Sequence, residues 1–201
     1  MIYKQTEKKF GTSTVRGFDF ARLPGDAPGK ACHGTGCVFA AKGTCYMIKA
    51  HRRYKYAPKD EAQVIRDSHG YPAFWKAFHK VKANPGVYRF GIGTDFPGRK
   101  SIRLAFAMAR GNKNSQFYCY TKRNNWMLAM WKEKPANFHV ILSGMTYNVV
   151  EMLTMRNLVQ EGGASFVAHN EDCPGAVNAS KDDRKAYLAA RKGKPVFLAM
   201  H

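Results

Sequence analysis

Long hydrophobic runs are missing from this 201-residue chain. No stretch approaches the roughly 20 apolar residues that span a bilayer, and the N-terminus, Met1-Ile-Tyr-Lys-Gln-Thr-Glu-Lys-Lys9, lacks the apolar core of a secretory signal. The sequence therefore predicts a protein without membrane attachment that works in the cytoplasm. Acid is scarce: Asp and Glu number 14 against 33 Lys and Arg, a formal net charge of +19. Such an excess repels itself in a compact chain unless a polyanion or counterions offset it. Cysteine is sparse too, and five unevenly spread thiols argue against a disulfide framework and for a reducing compartment. Neither a Gly-x-Ser-x-Gly elbow nor a phosphate-binding P-loop is present, and His33, His51, His69, His79, His139, His169 and His201 form no His-x-x-x-His pair. Fixed-period repeats and low-complexity tracts are absent as well.

What is there is a folding sequence. With 45% hydrophobic and 13% aromatic residues it is no disordered basic tail, and a chain of this length buries roughly 70% of its unfolded surface. We read 1–201 as a single domain with an N-terminal lead-in segment (1–30), a cysteine loop and basic helix (31–58) and β/α repeats (59–201). The lead-in carries one strand and ends in the turn-rich Leu23-Pro-Gly-Asp-Ala-Pro-Gly-Lys30. A helix over Cys45–Ala57 is closed by Pro58, and a helical stretch over 59–83 is interrupted near Gly70-Tyr-Pro72. Then β-rich runs at Val87–Gly93, Gln116–Thr121, Phe138–Ser143, Ser165–Ala168 and Pro195–Met200 alternate with helices over 99–110, 124–132, 149–160 and 182–191. Strands separated by helices require crossovers and a mostly parallel sheet. The expected fold is α/β, either an open parallel sheet with flanking helices or a partial parallel β/α barrel, and its ligands belong at the carboxyl ends of the strands.

Several residues can carry chemistry. Cys32, Cys37 and Cys45 stand close together among glycines; thiolates so placed can share a metal ion or an iron–sulfur cluster, or be small buried apolar residues. Cys173, in a polar turn, is a possible fourth ligand or an idle thiol, His33 and His51 can complete a zinc site, and Cys119 reads as core. Asp95, after a strand, suits a general acid/base or metal ligand, or a cap for the helix over 99–110. Thr121, Lys122 and Arg123 offer a hydroxyl and two cations suited to phosphate. Lys49, Arg52, Arg53 and Lys55, interleaved with Tyr54 and Tyr56, pair cations for phosphates with rings for bases. More cations follow on the later helices, among them Lys76, Lys80 and Lys82, Arg99 and Lys100, and Arg184 and Lys185. The predicted partner is nucleic acid; an acidic host protein, or no polyanion at all, is the alternative.

Gly17-Phe-Asp-Phe-Ala-Arg-Leu-Pro24 followed by Cys32, Cys37 and Cys45-Tyr46 resembles the opening of the phage gene product 88 family. Gly93-Thr-Asp-Phe96, Tyr120-Thr-Lys122, Leu142-Ser-Gly144 and the closing Val196–His201 are similar to its later motifs in the same order. A related group resembles radical S-adenosylmethionine enzymes, which implies a partial parallel β/α barrel. It also implies an iron–sulfur cluster and S-adenosylmethionine at Cys32, Cys37, Cys45 and Tyr46; Asp95 and Lys122, read from their places after strands, are the candidate catalytic groups. Zinc, or no metal, is the alternative. The functional expectation is a phage protein of the host cytoplasm that binds nucleic acid and modifies it at the metal centre; the alternative is a non-enzymatic module that coats nucleic acid or blocks a host protein.

Overall fold

The structure is a computed structural model that describes residues 3–4, 16–18, 41–43, 48, 72–91, 95–143, 149–161, 164–168, 173–180 and 182–197. Its strands are β1 (Tyr3–Lys4), β2 (Arg16–Phe18), β3 (Val87–Phe90), β4 (Gln116–Thr121), β5 (Phe138–Leu142), β6 (Ala164–Ala168), β7 (Val177–Asn178) and β8 (Val196–Phe197). Its helices are α1 (Pro72–Ala83), α2 (Arg99–Gly111), α3 (Asn124–Ala129) with a 3-10 turn at Trp131–Glu133, α4 (Val149–Gln160) and α5 (Asp183–Arg191). Among these residues no helix is long and apolar enough to cross a membrane.

The strands join in the order β1-β2-β3-β4-β5-β6-β8-β7. All neighbours are parallel except the β1–β2 pair at one edge. The six central strands form an open parallel sheet curled into a half-barrel with flanking helices, the expected α/β fold. The lead-in segment contributes β1 and β2, so it is part of the sheet. The helix expected over Cys45–Ala57 and the first part of the stretch over 59–83 lie outside the described residues. Within them, the interruption at Pro72 is the start of α1, because proline suits the first helical position, where no N–H is needed.

Two-sided burial follows from the crossovers. Phe117 and Cys119 of β4, Tyr88 and Phe90 of β3, and Phe138, Val140 and Leu142 of β5 share one core with α1 and α2. Tyr118 and Ile141, one step out of phase on β4 and β5, share a second with Ala186, Tyr187 and Ala190 of α5. The helix between β3 and β4 and those between β4 and β5 and between β5 and β6 follow strands that advance across the sheet. By contrast, α5 links β7 back to β8, which inserts beside β6. A right-handed crossover that runs in the reverse direction must lie on the opposite face, and that is where α5 packs. Ring pairs Tyr88–Phe117, Phe90–Phe117 and Phe90–Phe138, with centroids 5.6, 5.9 and 5.8 Å apart, link β3, β4 and β5; the first joins register partners and the other two run diagonally, since Phe90 is paired with Cys119. Each such buried ring contributes roughly 1.5–3 kcal/mol, enough to fix which side of each strand faces α2.

β3 stops at Phe90 rather than Gly93, because Gly91 turns to φ 70°, a conformation outside the β region. The expected helix over 124–132 is divided: α3 ends at Ala129, Met130 adopts φ −106° and ψ 10°, and the 3-10 turn completes the connection. Lys134 is extended ahead of Pro135, as a residue before proline must be.

Candidate functional site

Parallel strands leave their last carbonyls and the following turn at one edge, so polar side chains collect there. Asp95, in the connection from β3 to α2, is buried. Its Oδ1 accepts from the Phe96 N–H at 2.7 Å and from the Thr121 hydroxyl at 2.8 Å, and its Oδ2 accepts from the Lys122 N–H at 2.6 Å. The Thr121 oxygen accepts in turn from the Arg123 N–H at 2.9 Å. One carboxyl therefore braces the end of β4 against the chain leaving β3. Burial raises the pKa of Asp95 above the ordinary carboxyl value, while the three donors and the Lys122 charge oppose that rise. The helix-capping role falls elsewhere: Gly98 begins α2, with the Ser101 hydroxyl donating to its carbonyl at 2.5 Å.

Beside this brace, Arg123 is buried, with Nε donating to the Phe96 carbonyl at 3.2 Å and its guanidinium 4.3 Å from the Trp126 ring centre. Lys122 is half-buried. Asn124, the first residue of α3, is 3% exposed, and its Oδ1 has no hydrogen-bond partner among the described residues. The edge thus joins a bound carboxyl from the β3–α2 connection to two cations and an open amide oxygen of the β4–α3 turn.

The α5 side of the sheet carries a second polar series. The Arg89 guanidinium of β3 lies 4.7 Å from the Tyr120 ring centre, and Nη2 donates to the Gly91 carbonyl at 3.4 Å. Ring contacts run on through Tyr118 (6.3 Å) and Tyr187 (5.9 Å) to His139 (5.6 Å), whose Nε2 is 3.2 Å from Gln116 Oε1. Burial, then the Lys134 and Arg191 charges, push the His139 pKa down to about 4. Its imidazole is therefore neutral at pH 7. Lys134, itself lowered by burial, donates from Nζ to the Phe138 carbonyl at 2.9 Å.

Of the residues singled out from sequence, Asp95, Thr121, Lys122 and Arg123 come together. Cys32, Cys37, Cys45, Tyr46, Lys49, Arg52, Arg53, Tyr54 and Lys55 lie outside the described residues. Cys173 is half-buried in the turn before β7. Cys119 is a core residue as expected, its thiol pushed well above the usual value by burial and then by the Asp95 charge. Among the described residues no three His, Cys, Asp or Glu side chains gather as a metal-binding set. The Arg89–Tyr120 pair escaped the sequence reading. Its signal was a cation inside an apolar strand: by alternation, Arg89 must point away from the face that buries Tyr88 and Phe90.

Charge on the described surface is one-sided. Lys76, Lys80 and Lys82 on α1, Arg99, Lys100, Arg103 and Arg110 on α2, and Arg184, Lys185 and Arg191 on α5 are all exposed, whereas Glu133 and Glu161 are the acids exposed among the residues whose side chains are described. Glu133 lies 3.7 Å from Arg103 in an open ion pair, of a kind that contributes little.

No curated protein and no solved structure matches the chain. A family model described as Gene product 88 matches residues 4–199, nearly the whole length, and agrees with the motif order from Gly17 to the closing strand. On that match the chain belongs to the Gene product 88 family of phage proteins.

Proposed function

We propose that this phage protein binds nucleic acid in the host cytoplasm. The observation that carries the reading is the exposed cation cover on α1, α2 and α5, set against so little exposed acid and a net charge of +19. Phosphates would neutralise that cover. The edge at Lys122 and Arg123, beside Asp95 and Asn124, supplies two cations at the position where parallel sheets hold ligands. Lys49, Arg52, Arg53, Tyr54 and Lys55, cations interleaved with a ring in the sequence, are further candidate contacts.

Fluorescence anisotropy with labelled single-stranded DNA, duplex DNA and RNA across a salt series tests this. If six cations meet phosphates, affinity falls about a thousandfold between roughly 50 and 200 mM salt. Binding that is absent at low salt, or that polyglutamate competes away as well as DNA does, sinks the reading; the second result points to an acidic protein partner.

Modification of the bound nucleic acid at a metal centre is a further part of the proposal. Its donors are Cys32, Cys37 and Cys45 with Tyr46 beside them, and Cys173 as fourth ligand. Asp95 and Lys122 are the proposed catalytic groups. Metal and acid-labile sulfide analysis of protein purified without oxygen decides the donor question. About four irons and four sulfides per chain support a cluster of the kind that S-adenosylmethionine enzymes use. One zinc supports a structural site, and no metal leaves a binding module.

A further inference from the structure

We infer that the exposed face of α1 seats an unpaired nucleobase on Trp75, with the lysines around it holding the flanking phosphates, so that the preferred partner is single-stranded. The inference rests on the nucleic-acid reading and deepens it. Helical spacing separates α1 into two faces. Phe74, Ala77 and Val81 are buried against the sheet, while Trp75, His79 and Lys82, three and four residues apart, form one exposed stripe and Lys76 and Lys80 the next.

An indole normally lies mostly buried, yet Trp75 is 45% exposed. It is also held in place. Phe74 and Phe78 meet it in T-shaped contacts with centroids 5.6 and 5.2 Å away, and the His79 ring lies tilted at 6.1 Å. A ring fixed by its neighbours loses little freedom when a base stacks on it, which is the economy of aromatic platforms in single-strand binders.

Of charged side chains, α1 and α2 themselves carry cations only, although Glu133 lies 3.7 Å from Arg103 of α2. Neither α1 (PAFWKAFHKVKA) nor α2 (RKSIRLAFAMARG) contains an acid. The two helices touch where the Phe78 ring lies over Gly111: a Cβ there would stand 2.2 Å from Phe78 Cε2, and the ring would have to shift to admit it. Arg110 and Lys113, on either side of Gly111 in the chain, are exposed, with Arg110 donating to the Glu133 carbonyl at 2.9 Å. Phosphates on either side of a base over Trp75 would meet Lys76, Lys80 and Lys82, and those of the continuing strand would meet Arg110 and Lys113. A duplex keeps its bases stacked inside and offers this ring nothing.

The test compares wild type, Trp75→Ala and Trp75→Phe, each checked for folding by circular dichroism and for mass by sedimentation, in binding one oligonucleotide as single strand and as duplex. Trp75→Ala is expected to weaken single-strand binding about tenfold with the salt slope unchanged, Trp75→Phe to restore most of it, and duplex binding to stay as it was. Equal single-strand binding by Trp75→Ala, equal losses on both nucleic acids, or a wild-type dimer that Trp75→Ala dissociates would overturn the inference while leaving the broader reading standing. Wild-type protein that binds neither form at low salt removes the broader reading, and the inference with it.

Discussion

At the scale of single residues, the polar groups of this sheet divide by whether they are satisfied inside. Asp95 accepts three hydrogen bonds, which lets a carboxyl remain in a buried position that otherwise penalises its charge. His139 is a different case. It is 6% exposed, with Nε2 on Gln116 and Nδ1 lacking a partner among the described residues. The fold keeps this imidazole neutral to about pH 4, whereas an unperturbed histidine takes a proton near 6.5. Between those values the unfolded chain binds a proton that the fold refuses, so the His139 contribution is intact above pH 6.5 and is lost as pH falls toward 4. The loss is on the order of 3 kcal/mol. Urea midpoints at pH 7.5 and 5 should therefore fall more steeply with acid in wild type than in His139→Gln; parallel falls would mean that another group governs the acid response.

At the scale of elements, the sheet depends on how its helices are closed. Asp182 starts α5 by accepting from the Arg184 N–H at 2.9 Å. Its end is a Schellman turn, in which the Lys194 N–H donates to the Ala189 carbonyl at 2.9 Å and that of Gly193 to Ala190 at 3.2 Å. Gly193 has φ 64°, and a Cβ there would lie 2.7 Å from the Val159 carbonyl oxygen near the end of α4. Gly193→Ala therefore meets strain twice, once in its own backbone and once against α4. A loss of about 2 kcal/mol is expected, read as a lower urea midpoint with an unchanged slope. An unaltered midpoint would show that the two helix ends move apart at little cost.

At the scale of the whole molecule, the net charge of +19 opposes compaction, and the described ion pair, Arg103–Glu133, is too open to offset it. Raising NaCl from about 20 to about 500 mM shortens the screening length from roughly 20 to roughly 4 Å. Without nucleic acid, the protein should gain about 1 kcal/mol, or roughly 2–4 °C in melting temperature. With nucleic acid bound, the same salt should lower the melting temperature, because the complex dissociates. Differential scanning fluorimetry on both samples checks the opposite signs; a melting temperature that falls with salt in the free protein would mean that ion pairs outweigh repulsion.

The alternation of apolar runs and helical spacing by itself determined the parallel α/β sheet and the bounds of β4 from Gln116 to Thr121. These depend on local periodicity and on crossovers that parallel neighbours cannot avoid. It also determined the basic surface and the polar group at Asp95, Thr121, Lys122 and Arg123, since strand ends can be located from the same pattern. The two-residue strand β7 and the return of β8 to the side of β6 left no local signal, and they moved α5 to the opposite face. Tertiary packing likewise decided that Asp95 braces β4 instead of capping α2, that Arg89 lies over Tyr120, and that Trp75 is held open among rings. Those outcomes depend on which strands become neighbours and how closely α1 and α2 approach at Gly111, distances that residue order does not state.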